Sequence, residues 1–325
     1  MKNLNLMMFM PLYTLSILFP LSSSSWLTLW MSLEMNMFIF ILTMTYAPSM
    51  FTNETKIKYF LIQSFGSLLF LLSLTMNFSF FEEWSLNMML APTLALMLKM
   101  GSAPLHIWVP DIASKLPKFS LIMFLTTQKL PVLFLLFSST FTMIPWIAIF
   151  NISLGALSGL SESSLIKLLV YSSVNNIGWM MMSMLDSYSM FLLFFLIYAL
   201  INLITVNLLS KMKTIWVYQL KSYQFMTKML FYINMLSLSG LPPLLGFPPK
   251  WLILTKMTNY YPTLTMISII FAIPTMYFYL KMTINMIMNF SSTKKWMNNS
   301  SSNNFHFSHL FFINILGLPA LFILT

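Results

Sequence analysis

A chain of 325 residues with 58% hydrophobic and only 7% charged side chains has too few charges for a soluble surface, since about a quarter of an ordinary soluble domain is charged. All 17 basic residues are lysine, set against 7 acids for a formal charge of +10; most of them sit in loops, so this charge points to membrane orientation rather than to nucleic acid. Cysteine is absent and methionine occurs 32 times, which excludes disulfides, thiolate metal sites and cysteine-held iron–sulfur clusters from this chain.

The apolar residues come in blocks of about 20, the length that crosses a bilayer as helix, without the alternation of a barrel. Punctuated by Lys, Glu, Asn and Pro, they predict an all-α polytopic membrane protein, one membrane domain over 1–325 with about eleven transmembrane helices. The predicted spans are 3–20, 25–46, 57–77, 86–107, 118–138, 141–160, 165–185, 188–210, 226–249, 262–286 and 305–325. The first, behind Lys2, reads as a span rather than a cleaved leader, because the next block follows at once.

The second span carries Glu34, in LTLWMSLEMNMF, too deep to reach the surface. The fourth carries Lys99, in LALMLKMGSAPLHIWVPD, beside Gly101 and Pro104, which weaken a helix interior. His106 follows on the far side of that break. The fifth holds Lys129, in LTTQKLPVLF, with Thr126 a turn earlier and Pro131 just after. Gly155 and Gly159 in the sixth form a G-x-x-x-G, read as helix packing. The seventh presents Tyr171, Ser172, Ser173, Asn175 and Asn176, a polar face for helix contact or a hydrated path. The ninth ends at Lys250 in GFPPKW, where an interfacial anchor is the competing reading. Lys167 and Lys281 lie close enough to span ends to snorkel, and His306 and His309 begin the last span. Glu54, Glu82, Glu83, Asp111, Glu162 and Asp186 read as solvated loop residues.

Lysine asymmetry sets the orientation. Loops on the N-terminal side hold Lys2, Lys56, Lys58, Lys115, Lys118, Lys211, Lys213, Lys221, Lys228, Lys294 and Lys295, while the opposite side holds Lys256 as its clear exception. A repeat is visible in the helix breakers. Gly101-Ser-Ala-Pro104-Leu105 and Gly240-Leu-Pro-Pro243-Leu244 both read G-x-x-P-L, five spans apart. An odd offset inverts the second copy, so the pattern predicts inverted five-helix repeats, about 3–138 and 141–286, each with a broken helix, and an added helix at 305–325.

A charge at mid-bilayer opposes insertion by about 2.5–3.5 kcal/mol on the lenient scale, so Glu34, Lys99, Lys129 and Lys250 together oppose it by roughly 10–14 kcal/mol. Such groups should face one another or water. An ordinary lysine, with a pKa of about 10.4, does not release its proton near neutrality. Burial disfavours the charged amine and a nearby carboxylate favours it, so a buried lysine whose acid partner moves is a proton switch. The bland alternative is a scaffold whose buried charges only hold helices together.

LKMGSAPLHIWVPD, TTQKLP, SSLIKLLVYSSVNNIGWM and LSLSGLPPLLGFPPKW, with WMSLEMN near the start, resemble the mitochondrial NADH dehydrogenase subunit 2 family, antiporter-like membrane subunits of respiratory complex I. The resemblance covers about 26–255. It implies an antiporter fold of eleven helices in the inner mitochondrial membrane, with the N-terminus in the matrix. Glu34 and Lys99 would be the carboxylate–lysine pair, Lys129 the central lysine and Lys250 the lysine near the outlet, together moving protons outward. Partners would be the other membrane-arm subunits and membrane lipids, with no nucleic acid and no soluble ligand. No cofactor is expected in this chain; NADH, FMN, iron–sulfur clusters and ubiquinone belong to partner subunits. The family often has histidine where this chain has Asn176, which holds a water wire but takes up no proton. A stand-alone cation/proton antiporter shares the same fold and remains the rival within it.

Overall fold

Lipid offers no hydrogen bonds, so a chain crossing it satisfies its backbone within helices. The computed structural model describes residues 2–23, 25–45, 50–79, 86–138, 143–222 and 225–287, and they are predominantly helical. The last predicted span with His306 and His309, the acids Glu82 and Glu83, and Lys294 and Lys295 lie outside the described residues. Among those described, six helices are long and apolar enough to cross a membrane: Trp26–Met44, Met50–Thr75, Lys118–Phe137 counted through an internal turn, Ile144–Ser161, Tyr188–Met212 and Pro262–Ile284.

The chain divides into two compact units, Met1–Ile144 and Pro145–Thr325. In the first, α1 (Lys2–Ser22), α2 (Trp26–Met44), α3 (Met50–Ser79) and α4 (Leu86–Met100) pack in succession, each on the next. Short α5 (Trp108–Ala113) leans on α3, α6 (Lys118–Leu125) touches α2, and α7 (Lys129–Ser138) closes against α1 and α4. Entry to α2 is set by a capping box: Ser25 and Thr28 each accept the other's backbone N–H at 3.3 Å. Rings of Phe40, Tyr59, Trp108 and Phe124, with centroids 5.1–6.4 Å apart, fill the space where α2, α3, α5 and α6 meet.

The second unit comprises α8 (Ile144–Ser161), α9 (Leu165–Met184), α10 (Tyr188–Met212), a 3-10 turn (Val217–Ser222), α11 (Phe225–Ser239), α12 (Phe247–Tyr260) and α13 (Pro262–Ile287). α10 packs on α9, α11 and α12, and α13 on α11 and α12. Both glycines of the G-x-x-x-G are packing positions. A Cβ on Gly155 would meet the Asn175 backbone at 2.7 Å, and one on Gly159 the Phe278 ring at 3.0 Å.

Several expectations change. The predicted fifth span is interrupted at 126–128, between α6 and α7. Pro131 contributes to this: it has no N–H for the Thr127 carbonyl, and its ring crowds that oxygen. Glu54 and Asp111 are helical rather than loop residues, though both stay exposed. Glu54 is ion-paired to Lys58 at 2.8 Å and Lys115 at 2.7 Å, so its position and the link between α5 and α6 lie at one end of this unit. Lys228 is buried in the first turns of α11 rather than free in a loop. Lys256, the exceptional lysine, is paired to Asp186 at 2.8 Å.

Candidate functional site

In the first unit the site begins where α4 stops. Gly101 adopts φ +69°, its N–H donates to Leu98 O at 3.2 Å, and the Ser102 N–H donates to Met97 O at 3.0 Å. This is the Schellman closure that a left-handed glycine allows. A Cβ on Gly101 would also collide with Val109 of the incoming α5. Closure leaves the Lys99 carbonyl without a helical partner, and Gln63 of α3 fills it with an Nε2–H bond of 2.8 Å. The aliphatic stem of Lys99 crosses α3 at Gly66, where any Cβ would lie 2.9 Å from Lys99 Cγ.

Lys129 opens α7 immediately after the 126–128 turn. In that turn the Gln128 N–H reaches back five residues to Met123 O at 3.0 Å, a widened, π-type bond. Lys99 and Lys129 are 7% and 4% exposed, and both line one cavity of about 20 Å³ with Asn36, Tyr59, Gln63 and Gln128. A single water needs roughly 10–15 Å³, so polar walls and volume together suit water. Glu34 is half-buried on α2 and does not line this cavity. Among the described residues no ion pair joins it to Lys99. The implied carboxylate–lysine pair is therefore not in contact in this structure. His106 lies in the turn before α5, away from the cavity lining.

In the second unit the other G-x-x-P-L makes the same closure. Gly240 has φ +86°, its N–H donates to Ser237 O at 3.1 Å, and Leu241 N–H donates to Leu236 O at 3.4 Å. Here the exposed carbonyls are capped by a cation: Lys250 Nζ donates to Leu238 O at 3.0 Å and Ser239 O at 2.9 Å. A positive charge at a helix C-terminus is favourable, and the Trp179 ring, 5.7 Å away, adds a cation–π contact. Lys250 does not end its span as expected. It lies in the first turn of α12, because Pro248 and Pro249 start that helix instead of stopping the previous one. It is 8% exposed and lines a second cavity, of about 10 Å³, with Asn176, Tyr198 and Ser237. Ser172 and Ser173 turn their hydroxyls back to Leu169 O and Val170 O, at 2.7 and 2.6 Å, so of the predicted polar face it is Asn176 that reaches the lysine's cavity.

Three polar residues of the first unit escaped the sequence reading: Gln63, Gln128 and Asn36. The available signal was the run Thr126-Thr127-Gln128 ahead of Lys129 and Pro131, a polar triplet inside an apolar block.

Known proteins match this chain over nearly its whole length. The family described as NADH:quinone oxidoreductase/Mrp antiporter, transmembrane, matches residues 23–275. NADH-ubiquinone oxidoreductase chain 2 of Anopheles gambiae is 32% identical over 341 residues, covering 100% of this chain and 98% of its own length. The chain of that name from Dugong dugon is 33% identical, covering 100% and 96%. Among solved structures, a chain of respiratory complex I from Thermus thermophilus with bound aureothin superposes with a TM-score of 0.81 at 19% identity, covering 95% of this chain and 77% of that one.

Proposed function

The chain belongs to the NADH:quinone oxidoreductase/Mrp antiporter transmembrane family, and we propose that it works as chain 2 of NADH-ubiquinone oxidoreductase, a membrane-arm subunit that helps move protons across the inner mitochondrial membrane. The observation that carries this reading is the burial of the Lys99 and Lys129 side chains around one cavity that Asn36, Gln63 and Gln128 also line. In this reading a proton passes between Lys99 and Lys129 through the water-sized space that both line. In the second unit, Lys250 holds a proton against the carbonyl end of α11. Asn176 beside it orients water without titrating.

The same reading assigns about eleven spans, two inverted five-helix repeats with interruptions after Gly101 and Gly240, and an N-terminus in the matrix. Moving a charge against the membrane potential requires about 2.3 kcal/mol per 100 mV. With no cysteine and no nucleotide-binding glycine motif in the sequence, that energy is assigned to NADH, FMN, iron–sulfur and ubiquinone chemistry in partner subunits.

The decisive experiment is Lys129→Met in the assembled complex, reading proton pumping in vesicles while NADH is oxidised. Assembly should be intact and pumping strongly reduced. Normal pumping would leave the buried lysines a scaffold role only. Cation/proton exchange by the purified chain alone in liposomes would instead favour a free-standing antiporter.

A further inference from the structure

Gln128 is where three helices meet the turn that carries Lys129. Its Nε2 donates to Tyr13 Oη on α1 at 2.9 Å and to Asn36 Oδ1 on α2 at 3.2 Å. Its Oε1 accepts from Asn36 Nδ2 and from Tyr59 Oη on α3, each at 3.3 Å. A primary amide offers two donors and one carbonyl oxygen with two acceptor sites, and here every one is used. The bonding also runs in a defined direction. Gln128 donates to the Tyr13 oxygen, Tyr13 lies 2.6 Å from Thr127 Oγ1, and Thr127 donates to Met123 O at 3.1 Å. That carbonyl is the one that receives the Gln128 backbone N–H. Side chain and backbone of one residue thus brace the same widened turn, and the next residue in the chain is Lys129.

We propose that Gln128 is a positioning residue: its amide, held by Tyr13, Asn36 and Tyr59, keeps the 126–128 turn open and directs the Lys129 amine into the cavity shared with Lys99. This rests on the reading of Lys129 as a proton carrier. No other side chain of this size does the same work. Methionine has the length without the bonds, and a carboxylate accepts but cannot donate to Tyr13 and Asn36. The titratable groups around Lys129 are Lys99 from α4, Tyr13 from α1 and Tyr59 from α3, with Glu34 of α2 outside the cavity lining.

The test compares assembled complexes carrying Gln128→Met, Gln128→Glu and Lys129→Met, each assayed for NADH-driven pumping across a range of pH. Gln128→Met should lower pumping about tenfold or more, within what a misplaced reacting group loses. Gln128→Glu places an anion next to the lysine and should displace the pH profile upward by about half a unit or more, a change that mere packing damage does not produce. If Gln128→Met fails to assemble, Tyr13→Phe and Tyr59→Phe, each deleting one hydroxyl, should give partial losses in intact complexes. Unchanged pumping and profile in the Gln128 variants, or in both tyrosine variants, while Lys129→Met is inactive, overturns the positioning role and leaves the proton reading standing. Normal pumping by Lys129→Met overturns both.

Discussion

Three glycines exclude a side chain for three different reasons, and the difference is measurable. At Gly66 the backbone is helical and the obstacle is the flexible stem of Lys99 at 2.9 Å. Alanine there gains about 1 kcal/mol of helix propensity, which offsets a small shift of that stem. At Gly240 the left-handed φ of +86° alone disfavours alanine by about 1–2 kcal/mol, and the Lys250 side chain stands 2.9 Å from the added carbon. At Gly246 a Cβ would fall on the carbonyl oxygen of Ser237, which is backbone and cannot turn aside. Thermal stability of the assembled complex should therefore rank Gly66→Ala near the parent, Gly240→Ala lower and Gly246→Ala lowest. A Gly246→Ala protein as stable as Gly66→Ala would mean that α11 and α12 do not approach as closely as described.

Helix ends, more than helix middles, shape this chain. The two G-x-x-P-L segments make the same glycine closure, yet the orphan carbonyls that follow are capped differently, by a neutral amide from Gln63 in one unit and by the Lys250 ammonium in the other. At the third interruption Pro131 removes one helical bond and the Gln128 contacts brace the turn. Replacing Pro131 by alanine restores an N–H able to bond Thr127 O, and lifts a penalty that reaches about 3 kcal/mol for proline inside a helix. Pro131→Ala should thus give a continuous helix through 126–131 and equal or greater thermal stability, but reduced pumping, because Lys129 is carried away from its cavity. A density map with the 126–128 turn unchanged would contradict this.

Orientation rests on lysines that flank the spans, and it can be read by labelling. The chain has no cysteine of its own, so single introduced thiols report without background. Ser163, just before α9, and Ser189, in the first turn of α10, are exposed and flank α9, a helix of 20 residues whose length of about 30 Å matches the hydrocarbon core. In mitochondrial vesicles of known sidedness, Ser163→Cys should react with an impermeant maleimide from the matrix face and Ser189→Cys from the opposite face. Labelling of both from one face would refute the charge-based topology, whatever the fate of the proton reading.

Helical architecture was legible from composition and periodicity, because lipid imposes one rule on every residue: apolar outward, backbone paired within the helix. Of the charges, Lys99, Lys129 and Lys250 were legible as buried, whereas Glu34 is half-buried and the buried Lys228 was expected in a loop. Glu34, Lys99, Lys129 and Lys250 all stood out in the sequence as charges inside long apolar runs. The breaks at Gly101 and Gly240 were visible too, since no other residue adopts a left-handed backbone so readily. Tertiary structure alone decided the partners. That Gln63 caps Lys99 across 36 positions of sequence, that Gln128 joins Tyr13 and Asn36 from 115 and 92 positions away, and that Glu34 makes no ion pair with Lys99 depend on which helix packs against which. A hydrogen bond is satisfied by geometry over a few ångströms, and one-dimensional spacing carries no record of that distance once the residues lie on different helices.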